Sequence, residues 1–224
     1  MAKFFDQHKK VILLVGGAVI LLIFMALSGS FTLGRTGFDP NDNGSSTKTY
    51  EKYPAKTLKE NIDYEARVYI FQKGTITIDL FEQDTPLAVN NFVFLANEGF
   101  YNNLPIFYIE NKALFQSGDP IGDGSGGPGY RFQDEISEFL GIQKYSVVYA
   151  NENNKDTNGS QYFIVCKDVS DSKLSSLQGK FTVFGIVTDG KEIVDEICEL
   201  DSSKLTKEEL PVVGQVTIRS KRID

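Results

Sequence analysis

Hydropathy along the chain changes character three times. The run VILLVGGAVILLIFMAL, Val11 to Leu27, is apolar all round and uncharged, and Ser28 to Leu33 extend it with mildly polar residues. About 20 apolar residues span a bilayer as a helix, so the pattern predicts a transmembrane anchor over 11–31. Lys3, Lys9 and Lys10 precede it. By the positive-inside rule, residues 1–10 then form a cytoplasmic tail, and the rest of a single-pass chain lies on the extracytoplasmic side of the cytoplasmic membrane. Ala26 to Ser28 also offers small residues at a signal-cleavage position; the uncleaved anchor is preferred because the apolar run is longer than a usual signal core. Residues 32–61 are rich in Gly, Asn, Ser, Thr and Lys, contain Pro40 and Pro54, and keep no sustained apolar period. They are expected to be a flexible linker.

The third regime, residues 62–224, has short periods. ARVYIFQKGTITIDLF alternates around QKG and predicts a β-hairpin. In DTPLAVNNFVFLANEGF, Thr85 stands as an N-cap, Pro86 at the first helical position and Gly99 past the end. Val89, Phe92, Val93 and Ala96 share one face of that helix. Further strands are predicted at PIFYI, ALFQS, YSVVYA, QYFIVCK, FTVFGIV and QVTIRSKRI, with a second helix at KEIVDEICEL. Eight short strands and two helices fit an eight-stranded antiparallel β-barrel with helical caps, preceded by the transmembrane helix. The fold class is mainly β. GDPIGDGSGGPGYRF lacks the Lys-Ser/Thr and helix start of a phosphate cradle, so it is expected to be a surface loop with several positive-φ turns.

Composition narrows the chemistry. Seventeen Phe and ten Tyr without Trp agree with a sheet-rich domain. A net charge of −7 without clustered Lys and Arg argues against nucleic-acid binding. The only histidine, His8, lies in the basic N-terminal stretch, so no Ser-His-Asp or Cys-His arrangement can be assembled in the outer domain. Cys166 and Cys198 are too few for paired zinc-ligand spacing. They could form a disulfide in an oxidising compartment, but two buried free thiols are the preferred reading.

Four stretches, TPLAVNNFVFLANEGFY, QSGDPIGDGSGGPGYRFQDE, YANENNKDTNGSQYFIV and GKFTVFGIVTDGKEIVDEI, resemble, in order and spacing, the signatures of cyclophilin-type peptidyl-prolyl cis-trans isomerases. The resemblance covers about Val68 to Ile197, with a terminal strand near Val216 to Ile223. It implies a barrel whose outer face carries a groove for proline-containing polypeptide segments, with neither cofactor nor metal. A monomer is expected.

The implied reaction is rotation about the X-Pro amide, whose partial double-bond character sets a barrier of roughly 18–20 kcal/mol. A donor at the prolyl nitrogen favours the twisted amide selectively. Counting back from Gly118-Asp119-Pro120, the family's Gln falls on Gln116, its Phe-Met pair on Ala113 and Leu114, its His on Phe107 and its Arg on Tyr108. The arginine is therefore missing. Tyr108 and Gln116 are the candidate catalytic residues. Ala150, Asn151, Gln161, Phe163 and Leu177 match family groove positions, and Phe181 replaces a family His. With Ala113 and Leu114 these form the candidate substrate-binding set. Ser176 stands where many eukaryotic members carry Trp. The expected function is a membrane-anchored isomerase with weakened catalysis, assisting folding outside the cytoplasmic membrane. The alternative is an inactive, membrane-tethered peptide-binding or chaperone module.

Overall fold

The structure, a computed structural model, describes residues 48–110, 112–151, 154–168 and 172–223. β1 (Ile62–Ile70) and β2 (Gly74–Leu80) form the predicted hairpin. Its turn is closed by the Lys73 N–H donating to the Ile70 carbonyl at 3.1 Å. Every second side chain of β1, from Tyr64 to Ile70, is buried, which is the alternation a half-buried sheet produces.

The helix α1 (Pro86–Asn97) follows, and its buried face contains Val89, Phe92, Val93 and Ala96 as expected, with Ala88, Asn90, Asn91 and Leu95 beside them. Gly99 ends it at φ +69°. Thr85 occupies the N-cap position, but its hydroxyl does not cap; it donates back to the Phe81 carbonyl at 3.2 Å. The free N–H groups of Leu87 and Ala88 instead meet the Glu135 carboxylate at 3.1 and 2.8 Å. A carboxylate is well placed there because a helix N-terminus carries unsatisfied N–H groups and partial positive charge.

The remaining strands are β3 (Leu104–Pro105), β4 (Tyr108–Glu110), β5 (Leu114–Ser117), β6 (Ser146–Tyr149), β7 (Tyr162–Val165), β8 (Val183–Asp189) and β9 (Val212–Arg222). After a single helical turn at Ser172–Ser175, the second of the longer helices, α2 (Lys191–Cys198), buries Ile193, Val194, Ile197 and Cys198. All strand pairings are antiparallel, in the order β3-β9-β1-β2-β8-β6-β7-β5-β4. The segment PIFYI, expected as one strand, is two, with a break at Ile106–Phe107. Its halves β3 and β4 are the two edges of the sheet. Two residues cannot bridge a flat nine-stranded sheet, whose strands lie roughly 4.8 Å apart, so the sheet curls until its edges meet.

Three expectations are corrected. First, no helix among the described residues is long and apolar enough to cross a membrane. The longest, α1, has 12 residues, which at the α-helical rise is about 18 Å against a hydrocarbon core of about 30 Å. The anchor expected over 11–31 lies outside the described residues. Nothing among the described residues supports the preceding transmembrane helix, its contact with a lipid bilayer, the single-pass topology or the extracytoplasmic placement. Apolar composition permits a span; only a continuous helix of sufficient length makes one.

Second, the stretch expected as linker is docked from residue 48 onward. Tyr50 stacks edge-on to Phe94 at 5.1 Å, and its N–H donates to the Pro128 carbonyl at 2.8 Å. The Tyr53 hydroxyl donates to Leu87 O at 2.7 Å, while Asn90 accepts from Thr57 N at 2.7 Å and donates to Ala55 O at 3.1 Å. Polar composition hid two aromatic anchors. Third, Cys166 and Cys198 are not free thiols; they form a disulfide across 32 residues, with Cα atoms 6.4 Å apart.

Candidate active site on the outer sheet face

Cross-strand register places five side chains in one lateral row: Tyr108 opposite Gln116, Gln116 opposite Phe163, Phe163 opposite Val148, and Val148 opposite Val183. The next row, Ile109, Phe115, Ile164 and Val147, points through the sheet into the interior. Successive strand residues face opposite ways, so a single register fixes both rows. The outer row belongs to a second apolar cluster, separate from the interior. It holds Leu114, Val148, Phe163 and Val183, with Tyr108, Ala150, Leu177 and Phe181 packed half-buried against it. Thus six of the ten sequence-predicted site residues share this one cluster. Phe163 and Phe181 meet edge-to-face at 5.9 Å.

The polar candidates are braced by the glycine-rich loop. Gln116 Nε2 donates to Gln161 Oε1 at 2.8 Å. Gln161 Nε2 in turn donates to the Gly124 and Gly126 carbonyls at 2.9 and 2.8 Å. Gln161 therefore spends its amide on the loop, and the carbonyl oxygen of Gln116 is the group left without a partner among the described residues. Asn151 is buried, donating to Lys180 O at 3.3 Å and Asp134 Oδ1 at 3.4 Å, so it fixes the backbone just before Phe181.

The loop itself is built on Asp119, which is fully buried and accepts N–H bonds from Ile121, Asp123 and Gly124 at 2.8, 3.1 and 2.5 Å. Gly118 sits at φ +90°, where a Cβ would collide with the Ser160 carbonyl; Ser160 Oγ donates to Gly118 O at 2.7 Å. The expected positive-φ turns are present at Gly118, Gly122, Gly124 and Gly129. Asp119 was visible in the sequence only as a marker of register, and an acidic side chain between Gly118 and Pro120 at the head of a glycine-rich loop was the signal for its bracing role. Val148 and Val183 were also missed as groove residues, although alternation within SVVY marks Val148.

Besides the three polar candidates, Ala113 falls outside the cluster, as does Phe107 at the position of the family His. Ala113 is half-buried in the β4–β5 turn, where its N–H donates to Glu110 O at 2.9 Å. Phe107, in the break between β3 and β4, belongs to neither apolar cluster, whereas Phe181 packs against the outer one. Burial, with a contribution from the Glu110 charge, pushes the Tyr108 hydroxyl up to about 12. It is a protonated donor at any ordinary pH. Burial likewise raises the Glu135 carboxyl, against the two helix N–H bonds that lower it. Among the described residues no group of three or more His, Cys, Asp or Glu could hold a metal ion.

The family model described as "Cyclophilin type peptidyl-prolyl cis-trans isomerase/CLD" matches residues 66–222. The chain belongs to the cyclophilin family. It is accordingly an enzyme, a peptidyl-prolyl cis-trans isomerase, and the inactive-module alternative gives way. A peptidyl-prolyl cis-trans isomerase of Helicobacter pylori is 39% identical over 131 residues, covering 58% of this chain and 77% of the relative. Peptidyl-prolyl cis-trans isomerase-like 3 of Gallus gallus is 39% identical over 137 residues, covering 59% and 81%. Among solved structures, a cyclophilin-type isomerase of Cryptosporidium parvum superposes with a TM-score of 0.64 at 28% identity, over 71% of this chain and 99% of that one. The same protein in the presence of the dipeptide Ala-Pro gives 0.63 at 29% identity, over 70% and 99%. The cyclophilin curled sheet with two helical caps is thus the fold of the described residues.

Proposed function

We propose that this isomerase works on the outer groove of β4, β5, β7 and β6, with the Tyr108 hydroxyl as the donor to the prolyl nitrogen. The observation that carries this reading is the lateral row Tyr108–Gln116–Phe163. It sets a neutral donor, an amide and an aromatic wall side by side on consecutive strands. The proline ring packs against Phe163, between Leu114 and Phe181, because an apolar ring leaving water gains roughly 25 cal/mol per Å² buried. The free carbonyl oxygen of Gln116 accepts a backbone N–H of the bound segment. As the amide twists, its nitrogen becomes pyramidal and acquires a lone pair. Tyr108 donates to that lone pair, an interaction absent from the planar ground state and therefore one that accelerates rotation.

A neutral donor in place of a charged one gives up about 1–2 kcal/mol. That is roughly ten- to thirtyfold in rate. The protein assists folding of proline-containing polypeptides at this reduced efficiency. The test is isomerisation of an X-Pro peptide by the full-length chain. Tyr108→Arg is expected to gain about tenfold or more and Tyr108→Phe to lose about tenfold, each near the value of one hydrogen bond. A Tyr108→Phe variant as fast as the parent would remove Tyr108 from the reaction. The Tyr108 contribution is expected to stay constant from pH 6 to 9, since its proton leaves only near pH 12.

A further inference from the structure

Tyr108 stands on the weakest element of the groove. β4 is three residues long and is an edge strand, with β5 as its sheet partner. The turn that joins them holds Lys112 at φ +61°, a left-handed conformation that an L side chain keeps only when its surroundings impose it. Those surroundings are supplied by the two cysteines. Lys112 N–H donates to the Cys198 carbonyl at 3.0 Å, and the Cys166 N–H donates to the Ala113 carbonyl at 2.8 Å. The chain beyond Cys198 adds a Lys112–Glu199 ion pair at 2.9 Å and a bond from Ser202 Oγ to Ile109 O at 3.0 Å. The turn is therefore gripped from the end of β7 on one side and the end of α2 on the other. The disulfide joins these two jaws covalently.

We propose that the Cys166–Cys198 disulfide is a positioning clamp that holds the Tyr108 wall at the distance its hydrogen bond to the twisted amide requires. The inference rests on the outer groove being the isomerase site. Cleaving the bridge by a phosphine or dithiol reductant, which is oxidised as two thiols form, leaves the jaws joined through non-covalent contacts. Tyr108 then samples positions outside productive reach. Both cysteines are buried, 7% and 2% exposed, so the bridge resists casual reduction and the wall is held by default.

The experiment compares the full-length oxidised protein, the same protein reduced with a phosphine to two titratable thiols, and Cys166→Ala/Cys198→Ala. Amide hydrogen exchange is read at Ile109, Lys112 and Ala113 against Val89 and Phe92 of α1, and kcat and KM are measured separately on an X-Pro peptide. The expected result is exchange in the turn faster by about tenfold or more with α1 unchanged, because the opening is local. A fall in kcat of about three- to tenfold with KM nearly constant is expected, because the displaced group acts in the transition state. Reoxidation restores both. Turn exchange that stays unchanged, or that rises equally in α1, overturns the clamp, as does an unchanged kcat with a loosened turn. Phe163→Ala in the same assay separates the failures. If it abolishes activity while reduction does not, the groove stands and the clamp falls; if neither matters, the groove is not the site.

Discussion

The two faces of β4, β5, β7 and β6 are both apolar, yet they do different things. The inner face is sealed. Phe115 and Ile164 meet Phe92, Tyr101 and Tyr162 there, all at 2% exposure or less, with Phe92 stacked on Tyr101 at 4.9 Å and edge-on to Tyr162 at 5.6 Å. The outer face is smaller, and half of its members remain partly exposed. An apolar surface left open between half-buried side chains gives up burial that the interior collects, and it recovers that burial when a ligand lies on it. On the proposed function, the outer face binds because it is a core left incomplete.

Adjacent residues on these strands test the contrast. The largest effect is expected at Phe115→Ala on the inner face, which should lose about 3–5 kcal/mol of stability, read as the shift in denaturant midpoint at constant slope. Phe163→Ala, on the outer face, should lie at the low end of that range, about 3 kcal/mol, because an open cluster relaxes around the gap. It should lose isomerase activity by more than the tenfold of one missing hydrogen bond. Equal stability loss with activity intact would erase the distinction between the faces. The Tyr108 substitutions come next, moving rate by about tenfold in opposite directions while stability shifts by less than about 0.5 kcal/mol.

The smallest effect lies where the outer face is charged. Asp79 pairs directly across from Glu65, and burial, followed by the charges of Asp63 and Glu65, raises its carboxyl above the ordinary value. Glu82 is raised in the same way, by burial first and by Asp63 and Asp79 after its own bonds. A raised acid holds its proton more tightly folded than unfolded, so the penalty is full above the folded pKa. It is relieved as pH falls toward the unfolded value, near 4. Asp79→Asn should therefore stabilise the protein at pH 7 by less than about 1 kcal/mol. The gain should vanish in mildly acidic buffer, as thermal melts across pH 4–7 would show; a destabilised variant would mean that the carboxylate has an unrecognised partner.

Local pattern carried much of the fold. Alternation gave β1 and β2, and the Thr85-Pro86 start and Gly99 stop framed α1; counting back from FQSGDP set Tyr108 at the family's arginine position, and the strands then pair it with Gln116. These features depend on residues a few positions apart, so their periods are written in the chain itself. The free-thiol reading of Cys166 and Cys198 failed because the distance between two cysteines is set by how β7 and α2 pack, not by the 32 residues between them. Which carbonyls claim the Gln161 amide was likewise set by the tertiary structure, since they belong to a loop more than 30 residues away.

The sequence by itself thus determined most of the strands, the two longer helices and the family, and it set Tyr108 where the family's arginine is counted. The membrane-spanning helix expected over 11–31 lies outside the described residues, among which no helix is long and apolar enough to cross a membrane. Only the tertiary structure decided that the PIFYI segment breaks to close the sheet, that residues from Lys48 onward dock on α1, and that Glu135 caps that helix. It also decided that a disulfide grips the turn behind Tyr108. Each of these joins groups distant in the chain, and such contacts exist only after the sheet has curled and brought them together.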